Sequence, residues 1–306
     1  MNDSGTQNLK PAQPLASFVP YPFCDEPFEL LRHGVFDDES IDVMINQEQD
    51  FAYLYPQPKI DYSQYVPRVK KLGLSKYKAR LNIYLRRFLK VANYVEKGEN
   101  ILDIGAGDGL FLKIVKEHHP QITIAACEKD QNTLEERRNV VGDETFEDID
   151  ELINAGRTFS VVSLLHVLEH ILEPSVFLDK IRKLLTSESV LIIEIPSLNC
   201  PLLTLYHSKA YQQFYFQKQH PFNYSHTSLQ RLMESLDFQT LEIISFQRYG
   251  IENHLQWLTQ EKPGGNAVFR EMFENSNTHY IADLEQAGKT DSVIWVGFES
   301  LAMGNT

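Results

Sequence analysis

A glycine-rich stretch from Asp103 to Gly109 constrains the fold of this chain more than any other feature. It reads Asp-Ile-Gly-Ala-Gly-Asp-Gly and directly follows the apolar residues Ile101 and Leu102. Each glycine lets the backbone turn sharply or approach a ligand without a Cβ clash. The apolar run predicts a buried strand, and residues 110–117 predict a helix after it. The stretch therefore predicts a ligand pocket at a strand end, although such a turn also occurs in dinucleotide-binding proteins and in tight connections.

Strand and helix signals alternate through the rest of the chain. Apolar residues recur at helical spacing in some segments, and short apolar runs bounded by turn residues are typical of strands. This alternation predicts an α/β fold with a parallel sheet covered on both faces. The predicted strands are residues 100–104, 122–127, 159–165, 190–195, 240–246 and 292–299, and the predicted helices are residues 76–95, 110–117, 174–185 and 228–236.

The chain divides into five regions by composition and pattern. Residues 1–17 are dominated by Gln, Asn, Ser and Pro, which predicts a disordered tail. Residues 18–75 are rich in aromatic residues but show no sustained period, so we interpret them as an irregular arm that serves as a lid. Residues 76–246 form the predicted ligand-binding core. Residues 247–290 are too long and too varied for a plain connector and predict a substrate-side insertion, and residues 291–306 supply the last core strand and the C-terminus.

Charge and cysteine content limit the partners of the chain. The formal net charge of −13 opposes binding to nucleic acid phosphates and to anionic lipid, and this favours a small-molecule substrate. The three cysteines are too far apart in sequence for a CxxC pair, so a disulfide framework is not expected. Neither a signal peptide nor an apolar run of membrane-spanning length is present, so we expect a cytoplasmic protein without a membrane partner. The sequence does not predict an oligomeric state.

The glycine-rich stretch, Asp103-x-Gly105-x-Gly107-x-Gly109, resembles the first motif of class I S-adenosylmethionine-dependent methyltransferases. Glu128 ends the next predicted strand, 25 residues after Asp103, where a carboxylate accepts hydrogen bonds from ribose hydroxyls. Residues 159–174 look like the fourth strand and following turn of this family and are most similar to the ubiquinone-type O-methyltransferases. The resemblance implies a Rossmann-like seven-stranded sheet with an antiparallel last strand, and S-adenosylmethionine as the cofactor.

The resemblance also implies which residues contact the cofactor. The loop backbone passes under its methionine and ribose parts, and the end of the fourth strand lines its methionine end. Two segments depart from the family pattern: Phe159-Ser160 stands where relatives usually have Phe-Asp, and residues 143–148 lack a sharp adenine-binding motif. The predicted cofactor-binding residues are Asp103, Gly105, Ala106, Gly107, Glu128, Lys129 and Leu165.

Four residues, His166, Glu169, His170 and His220, are predicted to form one polar cluster above the transferred methyl group. If the turn after the fourth strand is helical, the first three can share a face. Three hypotheses follow: His166 or His170 as a catalytic general base, a metal site made by all four residues, or hydrogen-bonded structural residues. Related O-methyltransferases and RNA 3′-end methyltransferases use Glu-x-x-Glu-His and a later His for a divalent cation. Here His166 replaces the first Glu, which makes magnesium a poorer occupant than zinc, manganese or iron.

The sequence thus predicts methyl transfer to an oxygen or nitrogen of a small metabolite, with a sugar or nucleotide-linked sugar as the first substrate class. Arg248 and the aromatic arm are candidates for choosing the acceptor, whereas Trp257 is equally compatible with simple packing. Two alternatives stay open. One is RNA 3′-end methylation, which the negative charge disfavours. The other is a methyltransferase-like protein that binds the cofactor without turnover.

Overall fold

The computed structural model of the chain describes residues 27–48, 50–59 and 74–299. Its centre is a seven-stranded sheet in the order β10-β11-β8-β7-β4-β5-β6. Strands β4 to β8 are parallel, and β11 is antiparallel to both of its neighbours, β8 and β10. This confirms the predicted fold class and the antiparallel last strand. The sheet strands are β4 (Asn100–Ile104), β5 (Thr123–Cys127), β6 (Thr145–Phe146), β7 (Val161–Leu165), β8 (Val190–Pro196), β10 (Phe238–Phe246) and β11 (Ser292–Glu299).

Helices cover both faces of this sheet because its strands are apolar on both sides. Consecutive residues of one strand point to opposite faces of the sheet, so that Ile101 and Leu102 belong to two different core clusters. One cluster contains side chains of α1 and α2, and the other contains side chains of α4, α5 and α8. The helices that line these two clusters are α1 (Leu74–Val95), α2 (Leu110–His118), α3 (Leu134–Val141), α4 (Ile149–Asn154), α5 (Pro174–Arg182) and α8 (His226–Ser235). Two further helices, α6 (Pro201–Thr204) and α7 (Lys209–Tyr215), pack instead in a third cluster with Val43, Ile45, Ala52 and Leu54.

A second, four-stranded antiparallel sheet corrects the prediction of an irregular arm. It contains β1 (Phe28–Arg32), β2 (Asp42–Asn46), β3 (Phe51–Tyr55) and β9 (Phe222–Tyr224), in the order β1-β2-β3-β9. The sequence pattern did not indicate these strands because four successive residues of β2 and four of β3 are buried, so apolar and polar residues do not alternate. The predicted tail, the arm residues 18–26 and 60–73, and residues 300–306 lie outside the described residues.

The predicted insertion is helical. It contains α9 (Ile251–Gln260), α10 (Ala267–Met272) and α11 (Glu274–Gln286). Trp257 of α9 is buried against Cys200, Leu202 and Tyr211, so the indole holds the insertion on α6 and α7. The packing interpretation of Trp257 is therefore confirmed. Within the described ranges, none of the helices is both long and apolar enough to cross a membrane.

Candidate active site

The glycine-rich loop after β4 has the geometry that only glycine adopts without strain. Gly105 has a φ of 75° and Gly107 a φ of 56°, both in the left-handed region. A Cβ on Gly105 would lie 2.4 Å from Cγ2 of Val167, which follows β7, whereas a Cβ on Gly107 would meet no atom within 4 Å. The loop therefore packs closely against the end of β7 at Gly105 and faces open space at Gly107. Such a loop can accept a ligand against its backbone.

Asp103 lies beneath this loop and is 2% exposed. Ser163 of the neighbouring strand β7 donates a hydrogen bond from Oγ to Asp103 Oδ1 over 2.6 Å. Burial raises the pKa of Asp103 to about 7, against the opposing effect of the Ser163 hydrogen bond and of Arg87. Asp103 is thus a buried carboxyl group whose ionised form a cationic ligand would stabilise.

Glu128 follows β5 and joins the loop directly. Its Oε2 accepts a hydrogen bond from the Gly107 amide over 2.9 Å, and its Oε1 accepts one from the Asp130 amide over 2.8 Å. The carboxylate is therefore held at the rim of the loop. Lys129 differs, because its exposed side chain points to Asp148, with Nζ 3.4 Å from Oδ2. Ala106 and Leu165 are buried, the latter as the last residue of β7.

His166 sits between two carboxylates. Its Nδ1 is 3.0 Å from Glu169 Oε1 and its Nε2 is 2.9 Å from Glu194 Oε1. Burial and the nearby Arg248 lower the pKa of His166, but Glu194 and Glu169 outweigh them and raise it above its ordinary value. The backbone of His166 is also unusual, with a φ of 60°. This left-handed turn directs the ring toward β8.

Glu194 and Arg87 were missed by the sequence analysis. Glu194 lies in β8 and forms a buried, two-point ion pair with Arg87 of α1. Although burial raises the pKa of Glu194, Arg87 and His166 outweigh it and hold the pKa far below its ordinary value. A glutamate within the apolar run of residues 191–195 was an available signal, because a charge inside a buried strand needs a partner.

Arg248 reaches the same cluster from the end of β10. Its Nη1 is 3.0 Å from His166 Nε2, and its Nε donates to Asp291 Oδ1 over 2.9 Å. Asp291 also accepts from the amides of Arg248 and Tyr249. The insertion therefore begins at a guanidinium that is fixed beside the polar cluster.

The turn after β7 is a single turn of 3₁₀ helix, Leu168–His170, and not an α-helix. It brings potential ligand atoms of Glu169, His170 and His220 within 4.8 Å of one another. His166 is not in that group, and its two ring nitrogens contact Glu169 and Glu194. The structure thus assembles three of the four predicted metal ligands.

The electrostatics of these three residues differ. Burial, together with nearby His170, lowers the pKa of His220 to about 3, so its imidazole is neutral. Burial raises the pKa of Glu169, but the hydrogen bond and charge of His166, together with His170, outweigh it and lower the pKa to about 2. Glu169 Oε2 is buried and has no hydrogen-bond partner among the described residues. His170 Nδ1 lies 2.8 Å from the carbonyl oxygen of Gln219.

Comparison with solved structures finds similar chains. A S-adenosylmethionine-dependent methyltransferase from Archaeoglobus fulgidus is 18% identical, with a TM-score of 0.51 over 74% of this chain and 98% of that chain. The plantazolicin methyltransferase BpumL, solved with S-adenosylhomocysteine, is 15% identical, with a TM-score of 0.46 over 74% and 91% of the two chains. The mitomycin 7-O-methyltransferase MmcR is 14% identical, with a TM-score of 0.46 over 72% and 54%. No curated protein sequence matches the chain.

The sheet order, the glycine loop and the acid after β5 define the class I, Rossmann-like methyltransferase fold. A family model described as a methyltransferase domain matches residues 76–243, more than half of the chain. The chain therefore belongs to this methyltransferase family. The predicted class is confirmed, whereas the likeness to the ubiquinone-type group and the cytoplasmic location stay predictions.

Proposed function

We propose that the chain transfers a methyl group from S-adenosylmethionine to an oxygen or nitrogen of a small acceptor. The observation that carries the proposal is the hydrogen bond from the Gly107 amide to Glu128, which joins the two predicted cofactor elements in one site. This site lies at the carboxyl ends of β4 and β5, where ligands bind in open α/β sheets. The cofactor supplies the electrophilic methyl group when bound.

The residues around the loop suit the parts of that cofactor. The backbone at Gly107 faces open space, and Glu128 is placed to accept hydrogen bonds from ribose hydroxyls. We assign Gly105 and Ala106 of the same loop to the cofactor as well. Asp103 lacks a cationic hydrogen-bond partner among the described residues and would gain one from the methionine ammonium group. We place Leu165 against the methionine end. The exposed position of Lys129 makes it the weakest of the predicted contacts.

The polar cluster after β7 would orient the acceptor and receive its proton. Of the two histidines predicted as general bases, His170 suits that role better. Its Nδ1 contact with a carbonyl oxygen makes Nδ1 the protonated nitrogen, so Nε2 carries the lone pair. Both ring nitrogens of His166 face carboxylates, so we assign His166 a positioning role. Removal of a proton by a positioned base contributes about 10²- to 10⁴-fold to such reactions.

A metal-assisted reaction is the second candidate. It is favoured by the group of Glu169, His170 and His220 and by the unpartnered, buried Oε2 of Glu169. Two imidazoles and one carboxylate suit zinc, manganese or iron better than magnesium. Equilibrium dialysis of the full chain against Zn²⁺ and Mn²⁺ tests this candidate. Binding that Glu169→Gln and His220→Ala both abolish would support it, and the absence of binding would remove it.

Calorimetric titration with S-adenosylhomocysteine tests the cofactor site. We expect Glu128→Gln to weaken binding by about 1–3 kcal/mol, the cost of losing a charged hydrogen-bond acceptor. Glu135→Gln is the matched control, because Glu135 is an exposed acid on α3. Unchanged affinity in Glu128→Gln would contradict the assignment.

We propose the class of methyl acceptor from the charge of the chain and the polarity of the site. The net charge of −13 and the polar cluster favour a small polar metabolite, with sugars and nucleotide-linked sugars first. Transfer of label from methyl-labelled cofactor to such acceptors would support the proposal. Tight, salt-sensitive RNA binding in a low-salt gel shift would favour the RNA alternative. Cofactor binding without product from any acceptor would favour a protein without turnover.

A further inference from the structure

Arg137 of α3 is a charged side chain with no exposed surface. Its guanidinium binds oxygen atoms from three segments that surround the glycine loop. Nη1 donates to the Gly107 carbonyl over 2.7 Å and to Thr133 Oγ1 over 2.9 Å, and Nε donates to Thr145 Oγ1 over 2.9 Å. Longer contacts, of 3.4 to 3.5 Å, reach the carbonyl oxygens of Asp130 and Glu128.

These partners are all neutral oxygens. Among the described residues, no carboxylate oxygen lies close enough to Arg137 to form an ion pair. A buried guanidinium without a paired acid is costly, and its planar fork is the one side-chain shape that reaches several acceptors at once. We therefore explain the buried position of the Arg137 guanidinium by the backbone segments that it holds in place.

Gly107 is the residue that Arg137 holds most tightly. Its carbonyl oxygen accepts from Arg137 Nη1 and from Thr133 Oγ1, at 2.7 and 3.0 Å. Its amide donates to Glu128 Oε2 over 2.9 Å. The same glycine is therefore fixed on one side by Arg137 and on the other by the carboxylate assigned to the ribose. The carbonyl belongs to the Gly107–Asp108 peptide and the amide to the Ala106–Gly107 peptide, and the two peptides meet at the Gly107 Cα. Displacement of Gly107 would therefore move both the loop backbone and its hydrogen bond to Glu128.

We infer that Arg137 is a positioning residue for cofactor binding, which acts through Gly107 on Glu128. This inference rests on the proposed S-adenosylmethionine site. Arg137 contacts the loop from within the protein, so we expect it to act on affinity indirectly, through the position of Gly107 and its hydrogen bond to Glu128.

A double-mutant cycle with S-adenosylhomocysteine tests the inference on the full chain. We expect Arg137→Gln to weaken binding about tenfold or more, in line with charged hydrogen bonds. In a Glu128→Gln background the same change is expected to cost less than about threefold, because its target is already gone. The control is Arg138→Gln, which removes the same charge from the exposed neighbour and is expected to leave affinity within about twofold.

Thr133→Val supplies a second variant if Arg137→Gln does not fold. It removes the hydroxyl that links Arg137 to the Gly107 carbonyl and keeps the side-chain volume. We expect a smaller loss of affinity, again reduced in the Glu128→Gln background. Equal losses in both backgrounds would show a purely structural role and overturn the inference. Normal affinity in the Arg137 and Thr133 variants, with weak binding by Glu128→Gln, would overturn this inference but not the proposed cofactor site. No binding by the unaltered chain would overturn the proposed cofactor site as well.

Discussion

Ser163 Oγ donates a 2.6 Å hydrogen bond to Asp103 Oδ1 between adjacent parallel strands of the central sheet. The buried carboxyl group has a pKa of about 7, against roughly 3.9 in an unfolded chain. Between these two pKa values Asp103 is protonated in the folded protein and ionised in the unfolded chain. Its contribution to the free energy of unfolding therefore falls as pH rises from about 4 to about 7.

Asp103→Asn is expected to remove this pH dependence. The amide keeps the shape without the buried charge, so the cofactor-free variant should exceed the parent in stability above pH 7, by several degrees in Tm at roughly 2–4 °C per kcal/mol. Thermal unfolding of both proteins from pH 5 to 8 measures the difference. The variant should at the same time bind S-adenosylhomocysteine more weakly, because the carboxylate is lost. A constant difference in Tm across this pH range would contradict the assigned pKa.

His170→Ala is expected to lower turnover by about 10²- to 10⁴-fold if His170 is the general base. Cofactor affinity should change little, and EDTA should leave the activity of the unaltered protein intact. Initial rates with labelled cofactor, with and without EDTA, measure this. If EDTA abolishes activity and His220→Ala is equally inactive, the metal-assisted reaction is the correct one.

Arg87→Met is expected to destabilise the protein by about 3–5 kcal/mol, because it leaves Glu194 buried without its main counter-charge. Urea unfolding measures the free energy of unfolding. Lys113→Met is the control, since the Lys113–Glu117 pair is exposed and such pairs contribute at most about 1 kcal/mol. Similar effects in the two variants would show that the buried pair is not a major support of α1.

Phe51→Ala is expected to cost about 3–5 kcal/mol, because Phe51 is buried in β3 against Phe28, Phe222 and Tyr224. Turnover should fall more than cofactor affinity, since β9 begins two residues after His220. The exposed Phe36 provides the control, and Phe36→Ala should change stability by less than about 1 kcal/mol. Unfolding and turnover assays on both variants decide between the outcomes.

Truncation gives a coarser test of the same sheet. Deletion of residues 1–17 is predicted to be nearly silent, since their composition cannot bury enough apolar surface. Deletion through Tyr65 removes β1 to β3 and should abolish turnover. Full activity of the longer deletion would exclude a role for the N-terminal sheet in the acceptor site.

Local patterns in the sequence predicted the central sheet well. β4 and β11 begin and end at the predicted residues, because each is bounded by clear turn residues. The short helices α3 and α4 were missed: half of the eight residues of α3 are charged and adjacent, which obscures a helical period, and α4 has only six residues. Glycine spacing located the cofactor loop because backbone conformation depends on nearby residues.

The acceptor side was predicted less well because its geometry depends on distant contacts. The spacing of His166, Glu169 and His170 suggested one helical face, yet the left-handed turn at His166 sends its ring to Glu194. That partner is 28 residues away along the chain. Arg87 looks like a surface residue of an amphipathic helix and Arg137 like part of a charged surface segment, and only the folded chain shows them buried.

The pairing of β3 with β9 has a consequence for synthesis on the ribosome. Tyr53 of β3 pairs with Phe222 of β9, which is synthesised about 170 residues later. The β3 edge of the four-stranded sheet therefore stays unpaired while the parallel strands of the central sheet are being synthesised. Contacts so distant in sequence close slowly. We therefore expect the cofactor half of the enzyme to fold first and the acceptor half last. Pulse-labelling hydrogen exchange during refolding would show this as late protection of the β3 amides, and early protection there would contradict it.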